Sequence, residues 1–211
     1  MGHKAEYPFI FKTNMDIYLN ALNTYIYQTF GNISIDILVS GGSALIIGHN
    51  FRQCTEDIDT YIQSNVELSK CIESVSRDYS IPDDWMNSDF VKSPSFSTKL
   101  THKAEFIKSY GCLNVYKVCD LDLICMKLVA FRLKDETDLL GLLKDCSAIT
   151  QDMLSNNLVY LYGDDVFLQL KPEAIAFVRT NVRYLKLGYR QAVRHRTLTP
   201  AFHRFESGYP S

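Results

Sequence analysis

Two short runs in this chain carry residue types suited to phosphate chemistry. Gly41-Gly42-Ser43 is followed, fourteen residues after Ser43, by Asp57-Ile58-Asp59. Paired glycines let a backbone approach a phosphate closely, and at a helix start they present N–H groups where the dipole favours anions. Ser43 could bond a phosphate oxygen or act as a plain N-cap. Two carboxylates two apart on a strand project to one side and can share a hard cation such as Mg²⁺ or Mn²⁺. A triphosphate held on amides and a metal held on acids is the equipment of nucleotidyl transfer. Each half also has a plainer account, a turn that needs positive φ and an exposed acidic edge strand. Arg52 and Thr55 lie between the runs and could reach phosphate, although Arg52 also reads as a solvated arginine.

The elements that must position these residues follow from pattern. Ile33 to Val39 is rich in β-branched residues and predicts a strand running into the glycine turn. Ser43 to His49 predicts a short apolar helix, and Asp57 to Ile62 a second strand with Asp57, Asp59 and Tyr61 on one face. An amphipathic helix is predicted over Asn14 to Phe30 and another over Glu67 to Tyr79, with a serine-rich loop through Trp85-Met86-Asn87 to Ser97. Ala104 to Ile107 and Leu113 to Val118 read as a hairpin. Helices are predicted from Asp120 to Asp135, Asp135 to Cys146 and Thr150 to Asn156, and a long final one from Pro172 to about His195. The expected architecture is α/β (α+β), a mixed sheet with flanking helices over residues 1–146. A helical C-terminal part over 147–211 follows.

Two blocks then support a resemblance. G-G-S-A-L with R-x-x-T-x-D-I-D (Gly41 to Leu45, Arg52 to Asp59) and KLVAFRLKDETDLL (Lys127 to Leu140) resemble the minimal nucleotidyltransferases related to AbiEii toxins, within the DNA polymerase β-like superfamily. Trp85-Met86-Asn87 is similar to a W-x-N of some members. The resemblance covers about residues 33 to 145. It implies that Gly41, Gly42 and Ser43 contact triphosphate, that Asp57 and Asp59 hold metal, and that Lys127 and Arg132 contact the nucleotide. Asp135 or Asp138 would complete the polar site, although both also read as ordinary helix-start acids and Lys134–Asp138 as a surface pair. A third carboxylate expected on a later strand is not evident, because LNVYKV (Leu113 to Val118) contains no acid. Glu105, Asp120 and Asp122 are the nearby candidates, with Asp138 or Asp135 as substitutes.

Bulk properties narrow the setting. The net charge of −2 divides into +6 over residues 171–211 and −8 over residues 1–170. Arg179, Arg183, Lys186, Arg190 and Arg194 would form one basic helical face, suited to a nucleic-acid backbone or to an acidic protein surface. The six cysteines lack CxxC spacing, no apolar run reaches a membrane span, and the N-terminus carries charges where a signal peptide needs an apolar run. A cytoplasmic protein with reduced thiols is the expectation. The functional expectation is transfer of a nucleoside monophosphate from an NTP to RNA (a tRNA end among the options) or a protein hydroxyl, with Mg²⁺ or Mn²⁺. The resemblance adds a toxin role with an antitoxin partner. The alternative is a catalytically inactive module of the same fold that binds nucleotide, RNA or protein.

Overall fold

The computed structural model describes residues 9–63 and 66–182. A two-residue strand β1 (Ile10–Phe11) leads into α1 (Lys12–Phe30), where the Asn14 side chain accepts a hydrogen bond from the Phe11 N–H and Gly31, at φ +76°, ends the helix. Met15, Tyr18, Leu19, Leu22 and Ile26 form its buried stripe, the 3.6-residue period that the sequence displays. β2 (Ile35–Val39) follows, then α2 (Gly41–Gly48), β3 (Cys54–Thr55), β4 (Ile58–Gln63) and α3 (Ser69–Tyr79). A short β5 (Met86–Asn87) precedes two 3₁₀ turns at Asp89–Lys92 and Thr98–Thr101. The hairpin of β6 (Glu105–Ser109) and β7 (Leu113–Lys117) comes next. Helices α4 (Asp120–Ala130), α5 (Leu133–Asp145), α6 (Gln151–Tyr162), α7 (Val166–Gln169) and α8 (Pro172–Asn181) complete the described chain.

Five strands make a mixed sheet in the order β5-β4-β2-β7-β6, while β1 and β3 pair separately. β2 lies antiparallel to β4 and parallel to β7, so it is central and apolar, with Ile35, Ile37, Leu38 and Val39 all buried. The expected mixed α/β architecture is therefore present. One hydrophobic core takes in residues from Ile10 to Val182, including Leu154, Leu158 and Phe177 of the late helices.

Three features differ from the sequence reading. The Trp85 region is not simply loop: Trp85 is fully buried, donates Nε1–H to the Ile72 carbonyl, and sets Met86–Asn87 parallel to β4. The predicted helix from Asp120 to Asp135 breaks after Ala130. Phe131 takes a left-handed conformation, φ +32°, held by an edge-to-face contact with Phe177 and by Lys171 Nζ bonding the Ala130 and Phe131 carbonyls. Arg132 then caps α5, donating its own N–H to Asp135 Oδ2 at 2.9 Å. The last helix stops at Asn181, because Val182 is extended (φ −105°, ψ 135°), so no single helical face runs from Arg179 through position 182. Arg183, Lys186, Arg190 and Arg194 lie outside the described residues.

The loop after α2 is clipped to one face of α5. His49 lies between Asp120 (Nε2, 3.1 Å) and Asp145 (Nδ1, 2.8 Å), Phe51 packs over Gly141, and Arg52 pairs with Asp138. Asp138, Gly141 and Asp145 recur at three- and four-residue spacing, so they share that face. Any Cβ at Gly141 would stand 2.6 Å from the Phe51 ring. Gly141→Val is expected to lower stability by about 1–3 kcal/mol in urea unfolding. An unchanged midpoint would show that the loop is not held there.

Candidate active site

The site begins where β2 meets α2. Ser40 extends the ladder, its N–H donating to the Asp59 carbonyl at 2.9 Å, and so fixes the glycine turn against β4. Gly41 has φ +60°, and a Cβ there would lie 2.2 Å from Asp59 Oδ2. Glycine is therefore demanded twice, by the backbone and by the carboxylate packed against it. A Cβ on Gly42 would lie 2.7 Å from Thr55 Oγ1 and 2.9 Å from Arg52 Cζ, which places both side chains at the start of α2. The Ser43 hydroxyl is fully buried and lies within bonding range of two carbonyls, Ser40 (3.3 Å) and Asp57 (3.2 Å). That hydroxyl ties the helix start to the acidic segment; a contact from it to phosphate would require it to leave these carbonyls.

Asp57 sits in the bend just before β4, and Asp59 is the second residue of that strand. Asn87 donates Nδ2–H to Asp57 Oδ2 at 2.8 Å. Among the described residues no hydrogen bond or ion pair reaches the Asp59 carboxylate. Burial, and then the neighbouring Asp57 charge, push its pKa up to about 6, only partly opposed by Arg132, Lys134 and Lys127. An unpaired carboxylate strained by a second one is an arrangement that a hard divalent cation would relieve, so the donor set fits Mg²⁺ or Mn²⁺.

Behind the pair lies a buried ionic network. Lys127 Nζ contacts Asp135 Oδ1 at 3.0 Å and Asp138 Oδ2 at 2.7 Å, and Arg52 Nη1 reaches the same Asp138 oxygen at 2.7 Å. Arg132 Nε bonds Asp135 Oδ2 at 2.9 Å. Burial alone would raise the Asp135 pKa, but the Arg132 hydrogen bonds and the Lys127 charge outweigh it and hold that carboxyl below the ordinary range. Lys134–Asp138 is thus not the pair that forms; Asp138 is buried and turned to Lys127 and Arg52. Both Asp135 and Asp138 are neutralised by cations, which leaves Asp57 and Asp59 as the acids open to a metal. The remaining acids considered for that role are engaged elsewhere: Glu105 and Asp120 pair with Lys117, and Asp122 accepts from Asn157. Among the described residues no three His, Cys, Asp or Glu side chains form a metal-holding group.

Asp59 and Gly41 open onto a cleft of about 520 Å³. Leu123, Met126 and Val129 of α4 and Phe90 supply apolar walls, and Lys127, Arg132 and Lys171 supply cations. That size and mixture suit a nucleotide. A larger open groove of about 630 Å³ runs along α1, but its charged groups satisfy one another, as in Lys108–Asp16–Tyr110, and it lies apart from the acids.

Residues 19–169 match the family described as nucleotidyltransferase of unknown function (DUF6036). The chain belongs to this family of nucleotidyltransferases. No curated protein and no solved structure matches it. Among the described residues no helix is long and apolar enough to cross a membrane. Sequence reasoning located Gly41, Gly42, Asp57, Asp59, Arg52, Thr55, Lys127, Arg132, Asp135 and Asp138 in one neighbourhood, and the structure brings them together. It missed the parts played by Asn87, Ser40, Lys171 and the Asp89–Ser95 wall. The signal for Asn87 was the W-x-N of Trp85-Met86-Asn87, which the resemblance singled out without giving Asn87 a role.

Substituting Gly41 tests the turn directly. Gly41→Ala is expected to cost about 1–3 kcal/mol from the left-handed backbone alone, and to displace the Asp59 carboxylate. Thermal unfolding and nucleotidyl transfer should both fall. A variant with wild-type transfer would show that the close approach of Gly41 to Asp59 is not used.

Proposed function

We propose that this chain transfers a nucleoside monophosphate from an NTP to a hydroxyl acceptor, with a divalent cation held by Asp57 and Asp59. The observation that carries the reading is the Asp59 carboxylate, unpaired and packed on Gly41, at the mouth of a nucleotide-sized cleft. The acceptor oxygen would bond to the α-phosphorus, the bond to pyrophosphate would break, pyrophosphate would leave with the electron pair, and the hydroxyl proton would pass to water. The cation supplies neutralisation of charge developing on the phosphate oxygens. The chain's own parts position and neutralise. The N–H groups at the start of α2 face the phosphates. Arg132 and Lys127 supply positive charge along the cleft, and Leu123, Met126 and Phe90 receive the base while keeping water away.

The resemblance to AbiEii-related enzymes extends this reading to RNA, including a tRNA end, or a protein side chain as acceptor, and to a toxin with an antitoxin partner. The basic C-terminal segment supports an RNA acceptor through its charge. A second reading, a module that binds nucleotide without turnover, is favoured by the small acid count, since among the described residues no third His, Cys, Asp or Glu joins Asp57 and Asp59 in a metal-holding group.

The test is incubation with each of the four α-³²P-labelled NTPs, Mg²⁺ or Mn²⁺, and total RNA, beside Asp57→Ala. Metal-dependent label on RNA or on protein, lost in the variant, is the expected result and identifies the acceptor class. Nucleotide binding with no label from any NTP would favour the binding module instead.

A further inference from the structure

We propose that Asn87 is a positioning residue that makes cation binding at Asp57 and Asp59 contingent on the triphosphate. This rests on the transfer reading above. Asn87 pairs with Asp59 in the β4–β5 register, so it stands beside the acids on the neighbouring strand. Its amide orientation is fixed by three partners. Oδ1 accepts the Asp89 N–H at 3.0 Å, while Nδ2 donates to the Asp84 carbonyl at 3.3 Å and to Asp57 Oδ2 at 2.8 Å. The amide nitrogen must therefore face Asp57, because only that orientation gives the Asp89 N–H an acceptor. Trp85, fully buried two residues earlier, anchors the strand that carries it.

The consequence concerns ligand number. The Asn87 hydrogen bond to Oδ2 biases Asp57 towards offering a cation its other oxygen, beside the Asp59 carboxylate. Among the described residues no third acid, histidine or cysteine joins them. A hard cation takes six or more oxygens, and Mg²⁺ in particular fills its shell with water and substrate phosphates. Two carboxylates, one of them half occupied by a hydrogen bond, bind such an ion weakly until a triphosphate brings further oxygens. The ion and the nucleotide then enter as one unit, and the free enzyme is left without a tightly held metal.

An aspartate at position 87 reverses each term. It removes the donor from Asp57 and the donor to the Asp84 carbonyl, and it adds a third carboxylate beside the pair. Mn²⁺ binding to the full chain, read by electron paramagnetic resonance of the free ion, separates the cases. For the wild type, affinity is expected to rise by about tenfold or more when a non-hydrolysable α,β-methylene NTP is added. Asn87→Asp is expected to bind Mn²⁺ about tenfold more tightly than wild type without nucleotide, and to gain more Tm from Mn²⁺. Should that variant fold poorly, Asn87→Ala frees Asp57 Oδ2 without adding charge and is expected to bind Mn²⁺ about threefold more tightly without nucleotide. A purely structural asparagine would lower stability in both variants and leave the Mn²⁺ affinity of Asn87→Ala, which adds no carboxylate, unmoved. That result in folded variants, or equal wild-type affinity with and without the NTP analogue, overturns the assignment. The two readings fail separately. Label transfer by wild type with unmoved Mn²⁺ affinity in Asn87→Ala sinks the Asn87 role alone. The expected Mn²⁺ pattern with no transfer sinks the enzymatic reading alone.

Discussion

Asp59→Asn is expected to abolish nucleotidyl transfer, by about 10²–10³-fold or more, while making the metal-free protein more stable at neutral pH. The two effects share one cause. Asp59 is pressed against Gly41, faces Asp57, and has no cationic partner within bonding distance. Its folded pKa of about 6 stands above the unfolded value of 3.8. A carboxyl raised in this way contributes stability that is complete below 3.8 and is lost as pH rises through 6. In chelator, the wild type should therefore lose stability between about pH 4 and 6 through this group. Asparagine removes the penalty; partial exposure to solvent reduces the gain at pH 7.5 to about 1–2 kcal/mol. With a non-hydrolysable NTP present, Mg²⁺ should raise the wild-type Tm at pH 7.5 and leave that of the variant unmoved. A variant less stable than wild type at pH 7.5 in chelator would show that burying the Asp59 charge beside Asp57 does not destabilise the fold.

Lys127→Met should give the largest loss of stability of any single change at the site, about 3 kcal/mol. Lys127 is 4% exposed and is shared by two buried acids, Asp135 and Asp138. Removing it strands both beside an apolar side chain, with Arg132 and Arg52 left to compensate from more exposed positions. Transfer should fall as well, because the cleft loses a cation next to Asp59. The pH dependence has a definite sign. Asp135 is held below its ordinary pKa, so its contribution is present above about pH 4 and is lost as pH falls through the lowered folded value. Acid unfolding of the wild type should be steeper than that of Lys127→Met when both are followed by circular dichroism. Equal stability of the two proteins at pH 7 would mean that the buried network contributes no net stability.

Much of this was legible because it is local. The strand before Gly41, the helix after it and the strand that carries Asp59 follow from periodicities of two and 3.6 residues, although Asp57, expected on that strand, falls in the bend just before it. The hairpin Glu105–Ser109 with Leu113–Lys117 was signalled by its turn, and Asp120 and Pro172 marked helix starts. What escaped depends on partners far apart in sequence. Phe131 breaks the helix predicted from Asp120 because Phe177 and Lys171 hold its left-handed turn, although its own residue type gives no such signal. Arginines at helical spacing predict one helix from Pro172 to about His195, but the backbone is extended at Val182, which interrupts it; positions 183–195 lie outside the described residues. Asp138 looked like the partner of Lys134, four residues earlier, but is drawn to Lys127 and to Arg52, which lies 86 positions away. Asn87 looked like a loop residue because only the sheet order shows β5 lying against Asp59.

The measurement that bears most directly on the central claim compares two labels of one NTP. The wild-type protein is incubated with α-³²P-NTP and, separately, with γ-³²P-NTP, together with Mg²⁺ and total RNA. The expected result is acceptor labelled from the α-position alone, with the γ-label recovered as pyrophosphate and both outcomes lost in Asp59→Asn. Transfer of the γ-label to the acceptor, or release of inorganic phosphate with no labelled acceptor, would contradict nucleotidyl transfer at Asp57 and Asp59.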